Sequence, residues 1–310
     1  MPSQPLATMA SVQEAPAART LWPIDKLFIA NSIILICLLG AAVRNDKGSL
    51  FYIAAHVAAI LTLLALVRAS SPLWLFLHHW FVLVYLPLCY KEVPFIVSAL
   101  RLHSADFKLA GWDMAMWKAD PVFWLSQFQN RGLVELLQVA YTLFIPCTIA
   151  LGILLWVCKS RAEFRYGTFL IAATFLISYL GYLVLPARGP RFMPYAAQHP
   201  ALYGLWTFNF LQSLLDSLEG TQFDCFPSGH VAVVIVGCYL ARQISPAVFR
   251  VFSVFAALIA FSTIYLRYHY VIDVIAGTVL AIALIAIAPW VYQKLEGANL
   301  SNEIGNTQAG

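Results

Sequence analysis

Charged side chains are scarce in this sequence. Of its 310 residues 11% are Asp, Glu, Lys or Arg and 61% are hydrophobic, against about 25% charged in ordinary soluble domains. Mean hydropathy is +0.76. That shortfall excludes a soluble domain with a merely large core, because a chain this apolar needs lipid as part of its solvent. The net charge of +4 is spread along the chain, so the dense basic patch that a nucleic-acid partner requires is absent. Cysteine pairs are absent too. Cys37, Cys89, Cys147, Cys158, Cys225 and Cys238 show no C-x-x-C spacing, which argues against a disulfide or zinc framework and for small buried hydrophobes. The opening "MPSQPLATMASVQEAPAART" lacks the charged-then-apolar order of a cleaved signal peptide. Residues 1–22 read as a disordered tail, and the first apolar helix as its own insertion signal.

What the sequence has in abundance is long apolar runs. They cover 27–43, 50–69, 73–90, 133–157, 167–185, 229–244, 249–267 and 271–292, most of them near the roughly 20 residues a crossing helix needs. Strand alternation is missing from them, and only helices or closed barrels satisfy the backbone in lipid. The expected fold is therefore all-α, a polytopic helical membrane bundle of about six to eight transmembrane helices, over 23–293. Residues 91–132 mix Trp and Phe with Asp and Lys in "GWDMAMWKADPVFWLSQF", which suits a segment lying at the membrane interface. Residues 294–310 read as a polar tail. No internal repeat or interdomain linker is visible.

With eight crossings, both termini and the short loops carrying Arg68, Lys159, Arg161, Arg165, Arg242 and Arg250 share one face; the opposite short loop carries Arg44 and Lys47. The positive-inside rule makes the first face cytoplasmic. The remaining polar clusters then open on the non-cytoplasmic face.

Three such clusters stand at helix ends, where ionisable groups are costly and usually functional. In "FPSGH", Pro227 cannot continue a helix toward its N-terminal side, Ser228 is a favoured N-cap, and Gly229 permits close approach to the backbone. A helix starting there offers its amides and dipole to an anion such as phosphate, with His230 in its first turn able to protonate a leaving oxygen. The plainer reading is a capping serine and an interfacial histidine. In "RYHYVID", His269 and Asp273 are four apart and share a helix face. A carboxylate that orients one imidazole nitrogen leaves the other free for attack; a structural His–Asp bond is the plainer reading. His230, His269 and Asp273 could also be metal ligands, but the guanidiniums nearby would repel a cation, so no metal or other cofactor is expected. In "PARGPRF", Arg188 and Arg191 match phosphate oxygens as forks, or else meet lipid headgroups. Arg267 adds a third guanidinium. A transporter would set its charges mid-membrane on broken helices of repeated halves, a pattern not found here. The joint reading is phosphoryl transfer on a membrane lipid.

The ordered set of arginine loop, Pro-Ser-Gly-His and His-x-x-x-Asp before an apolar helix, over about 186–277, resembles the type 2 phosphatidic acid phosphatase superfamily. The resemblance implies a metal-independent enzyme with that family's helical core over about 131–293. It implies His269 as the nucleophile that becomes a phosphohistidine, Asp273 as its orienter and His230 as general acid and base. Ser228 and Gly229 are then phosphate contacts. Two departures stand out. The third motif has Thr263 where the family has an arginine, and the position seven before Arg191 is Val184 rather than lysine. Arg188 and Arg267 are the candidates to substitute. With "YLRYHYVIDV", "LPARGPR" and "WDMAMWKADPVFWL", these departures are similar to the inositol phosphorylceramide synthase-like branch. That branch passes a phosphorylated headgroup to a lipid alcohol. Hydrolysis and transfer differ only in the acceptor.

Overall fold

The computed structural model describes residues 20–219 and 223–307. These are helical with irregular connections and, among the described residues, no strand. In chain order the helices are α1 (Pro23–Ala42), α2 (Ser49–Arg68), α3 (Pro72–Trp80), α4 (Val82–Ala99), α5 (Asp106–Trp117), α6 (Pro121–Leu125) and α7 (Arg131–Thr142). There follow α8 (Phe144–Cys158), α9 (Arg161–Val184), α10 (Phe208–Glu219), α11 (Gly229–Ile244), α12 (Pro246–Tyr265) and α13 (Val271–Thr307). Their starts obey local chemistry. Ser71, Asn130, Ser160, Ser228 and Ser245 each accept a bond from a backbone amide of the helix they precede, satisfying an otherwise orphaned donor. Ser160 and Glu163 complete a capping box.

All eight apolar runs are helical, but they are unequal as crossings. Six helices are individually long and apolar enough, the third being α3 and α4 together. A seventh exists if α7 and α8, bent by 46°, form one span. The eighth run, α11, has 16 residues, about 24 Å of helix against a hydrocarbon layer of about 30 Å. It is short because Ser228 and Gly229, where it starts, are already buried. The helix begins inside the protein. The stretch from 294, expected from its polarity to be a tail, continues α13 as helix to Thr307; no proline interrupts it there. The expected tail at 1–22 falls outside the described residues up to position 19.

The bundle is apolar on both sides of its helices. Phe51, Val157, Val184 and Val254 are largely exposed, as lipid-facing side chains are. Polar groups such as His56, Glu92, Gln138 and Asp273 are completely buried. α11 lies at the centre of the C-terminal half, packed on α8, α9, α12 and α13, while α1 and α4 also pack on α9. Between α4 and α7 the chain lies across one end of the bundle, α5 packing on α13 and α6 on α12. Phe107, Trp112, Met114 and Trp117 of α5 stay exposed, consistent with the interfacial segment expected over 91–132.

Candidate active site

His269 sits in the short connection from α12 to α13, and the geometry of that turn determines where its ring goes. Tyr268 N–H donates to Thr263 O and Arg267 N–H to Ile264 O, the paired bonds of a Schellman ending. Such an ending needs one residue in the left-handed region, usually glycine. Here it is Arg267, with φ 64°. A non-glycine residue held there costs roughly 1–3 kcal/mol, so the position retains its side chain against a backbone penalty.

His269 Nδ1 lies 2.9 Å from the carbonyl of Cys225. A carbonyl only accepts, so Nδ1 carries a proton and, in the neutral ring, Nε2 is the nitrogen with the lone pair. Nε2 faces His230 Nδ1 at 3.4 Å, and the two rings are edge to face with centroids 5.6 Å apart. The structure thus brings together the two histidines singled out in the sequence. Asp273 is there too, but its carboxylate lies 3.6 Å from His269 Nδ1, beyond hydrogen-bond range. The direct orienter of the nucleophile candidate is a backbone carbonyl. Asp273 Oδ2 accepts from the Tyr270 amide at 2.8 Å and from the Cys225 thiol at 2.8 Å, and its Oδ1 is buried without a partner. Asp273 therefore acts one step back, fixing both the chain that carries His269 and the residue whose carbonyl holds it.

Of the cysteines expected to be small buried hydrophobes, Cys89 and Cys225 are buried whereas Cys37 and Cys158 are exposed, and Cys225 also has a polar role. Burial first, and then the Asp273 carboxylate, push its thiol well above the ordinary pKa, so it remains S–H and donates. Cys225, His269 and Asp273 form a group whose ligand atoms lie within 4.8 Å of one another; these atoms already bond to each other or to the backbone.

The start of α11 is more occupied than an open anion site. Ser228 N–H donates to Asp273 O at 3.0 Å, and Ser228 Oγ accepts from Val231 N. At Gly229 a Cβ would lie 2.4 Å from the Tyr182 hydroxyl, so any larger residue would have to displace that ring. His230 is held between rings: Tyr141 stacks on it at 4.5 Å and Phe144 lies 4.5 Å away. These two flank the bend at Leu143 between α7 and α8. Tyr141 in turn stacks on Tyr268 at 4.2 Å, and the Tyr141 hydroxyl is 3.5 Å from His230 Nδ1.

The arginine loop closes against the same turn. Gly189 takes φ 97°, and a Cβ there would meet Tyr268 O at 2.4 Å. Arg191 N–H donates to Arg267 O; its guanidinium lies over the Tyr268 ring at 4.6 Å and pairs with Asp216 at 2.9 Å. Arg188 lies over Phe192 at 4.3 Å. Arg267 aims elsewhere: its Nη2 donates to Pro200 O at 2.7 Å and its guanidinium lies 5.2 Å from the Phe123 ring, with Nε buried and unpartnered.

The residues that pin these loops escaped the sequence reading. Asp106 accepts from the amides of Arg188 and Gly189, at 3.0 and 2.9 Å, and from the Tyr270 hydroxyl at 3.0 Å. Asp113 accepts from Val271 and Ile272 N–H at 2.8 and 2.9 Å, capping α13. The signal was present: two acids seven apart lie on one face of a helix in a segment otherwise suited to the interface. Burial, outweighing these two hydrogen bonds, raises the Asp113 carboxyl to about 6.

Two imidazoles face each other near a loop that carries two arginines, an arrangement chemically able to handle a phosphate. Family comparison agrees: the PAP2 superfamily model matches residues 111–287, more than half of the chain. The chain belongs to the PAP2 superfamily. It is similar to a PA-phosphatase related-family protein of Dictyostelium discoideum, 34% identical over 110 residues, covering 34% of this chain and 20% of that one. It is also similar to a phosphoinositol dihydroceramide synthase of Bacteroides thetaiotaomicron, 29% identical over 152 residues, covering 45% and 50%. The chain spans half or less of these relatives' lengths. No solved structure matches it.

Proposed function

We propose that this protein is an integral membrane lipid phosphatase or phosphotransferase that works through a phosphohistidine on His269. The observation that carries the reading is the pair of contacts on one ring: Nδ1–H on the Cys225 carbonyl and Nε2 facing His230. That tautomer presents a lone pair to phosphorus. His230 protonates the leaving oxygen, then takes the proton of the incoming acceptor. At 3.4 Å the two nitrogens are closer than a phosphoryl group allows, so substrate separates them. Arg188 and Arg191 neutralise the phosphate, where much of the catalysis of such transfers lies, together with Ser228 and Gly229 at the start of α11. No metal takes part.

The second reading is transfer of a phosphorylated headgroup onto a lipid alcohol. It is favoured by the similarity to a protein named phosphoinositol dihydroceramide synthase. The site is assigned to the non-cytoplasmic face, on the distribution of Arg and Lys among the short loops.

The test is incubation of purified protein, with chelator, with labelled phosphatidic acid, undecaprenyl diphosphate or phosphatidylinositol, each with and without ceramide or diacylglycerol. Free phosphate marks hydrolysis and a new labelled lipid marks transfer. Acid-labile label on the protein, lost in His269→Ala, marks the phosphohistidine. Turnover in that variant would remove the assignment.

A further inference from the structure

Beside the catalytic groups a groove of about 680 Å³ opens between α5, α6 and the turn at 193–200, within the usual range for ligand sites. Its lining is mainly apolar, with Gly111, Phe123 and Met193 among its walls and the polar groups of Asp120, Tyr195 and His199 in reach. Phe107 and Trp124, 72% and 51% exposed, also line it. They belong to the aromatic segment suited to the membrane interface. The groove therefore opens where lipid headgroups lie.

Two features join it to the site. Phe123 and Pro200, which line it, are the two residues that the Arg267 guanidinium touches. Met193, another wall, packs in one cluster with Cys225 and Tyr270. Met193 thus links the lining of the groove to the segments that hold His269.

Its charge identifies the occupant. No lysine or arginine lines it, whereas the Asp120 carboxylate does. A phosphorylated headgroup would meet repulsion there and find no guanidinium fork. A hydroxyl would find an acceptor: Asp120 Oδ1 takes the Val122 and Phe123 amides at 3.1 and 3.2 Å and Oδ2 takes the Tyr195 hydroxyl at 3.2 Å, which leaves about one of a carboxylate's roughly four lone-pair sites, on Oδ2.

We propose that this groove holds the hydroxyl end of an uncharged membrane lipid alcohol, the acceptor of the phosphoryl-containing group carried by His269. The proposal rests on the phosphohistidine reading above. In the step it serves, the acceptor oxygen attacks phosphorus. The O–P bond forms as the P–Nε2 bond breaks, the electron pair returns to His269 Nε2, and the hydroxyl proton passes to His230.

Gly111 offers a clean probe, since a Cβ there meets nothing within 4 Å. Full-length protein in mixed micelles is given a labelled phospholipid donor with diacylglycerol and ceramide, and label is partitioned between lipid product and water-soluble product. Gly111→Trp, filling the groove, is expected to lower the ratio of transfer to hydrolysis at least tenfold. Gln198→Trp, filling it from the turn, is expected to do the same and serves if the first variant fails to fold. An unchanged ratio, including a proportional loss of both products, overturns the acceptor assignment. Hydrolysis by the wild type with no transfer to either alcohol overturns it as well. Absence of both products and of labelled protein in the wild type is a different result: it removes the phosphohistidine reading itself.

Discussion

In the N-terminal helices His56 Nε2 lies 2.9 Å from both oxygens of Glu92; in the C-terminal half His269 stands 3.6 Å from Asp273 and donates to a carbonyl instead. The first pair is fully buried and its network is closed. The Tyr85 hydroxyl donates to Phe28 O at 2.7 Å, so the contact between Ser32 Oγ and Tyr85, also 2.7 Å, must use the Ser32 proton. Ser32 is then free to accept from His56 Nδ1 at 3.2 Å. Both ring nitrogens of His56 are consumed. A similar pair, His78 on Asp25 at 2.9 Å with Trp22 stacked at 3.9 Å, joins α3 to α1. Around His269, in contrast, one nitrogen remains available and the Arg267 Nε, Asp273 Oδ1 and Gln138 Nε2 atoms have no partner. Where a carboxylate takes the imidazole directly, the pair joins two helices; where a backbone carbonyl takes it, the other ring nitrogen is left to face a second imidazole.

The comparison breaks most sharply at His269. His269→Ala should lower turnover by roughly 10⁴-fold or more, as loss of a catalytic nucleophile does, with little change in thermal unfolding in detergent. Comparable activity in that variant would place the chemistry elsewhere. Glu92→Ala should do the reverse, destabilising the fold by about 3–5 kcal/mol because His56 is left buried and uncompensated. Activity per folded molecule should persist. Replacing both His56 and Glu92 with leucine should recover much of the lost stability, and no recovery would show that the pair does more than bind helices.

Arg267→Gly separates backbone from side chain at one position. Glycine suits the left-handed turn, so stability should hold or rise by about 1 kcal/mol, while activity should fall at least tenfold if the contacts of the guanidinium with Phe123 and Pro200 set the groove against the site. Unaltered kinetics would mean that this guanidinium only packs on Phe123 and Pro200. The smallest effect concerns Asp113. Its folded pKa, about 6, lies above the ordinary 3.8, so between these values the folded state holds more protons than the unfolded one. This group's contribution to stability therefore falls as pH rises from about 4 to 6. The difference in melting temperature between wild type and Asp113→Asn should change across that window and stay level above it.

The long helices were legible because lipid imposes a length and a polarity that survive in one dimension. His230, His269, Asp273, Ser228, Arg188 and Arg191 were legible because polar groups at the ends of apolar runs demand a reason. Asp106 and Asp113 were obscured by their neighbours: in "SADFKLAGWDM" the acids look solvated, and only packing of α5 on α13 turns them inward. The Cys225 carbonyl could not be read at all, since backbone atoms carry no residue type. Arg267 was expected beside the arginine loop at the phosphate; its guanidinium bonds Pro200 O and lies against Phe123, contacts between segments far apart in sequence that residue order does not show.

Composition and motif order alone determined that the chain is a helical membrane protein with two histidines, a carboxylate and guanidiniums near one end of the bundle. They could do so because solvent preference and helical spacing are local properties. Which imidazole nitrogen keeps its proton, which acid holds which loop, and that a groove without cations lies against Arg267 were decided only when helices distant in sequence packed. Each of these depends on distances of a few ångströms between segments that the order of residues does not bring together.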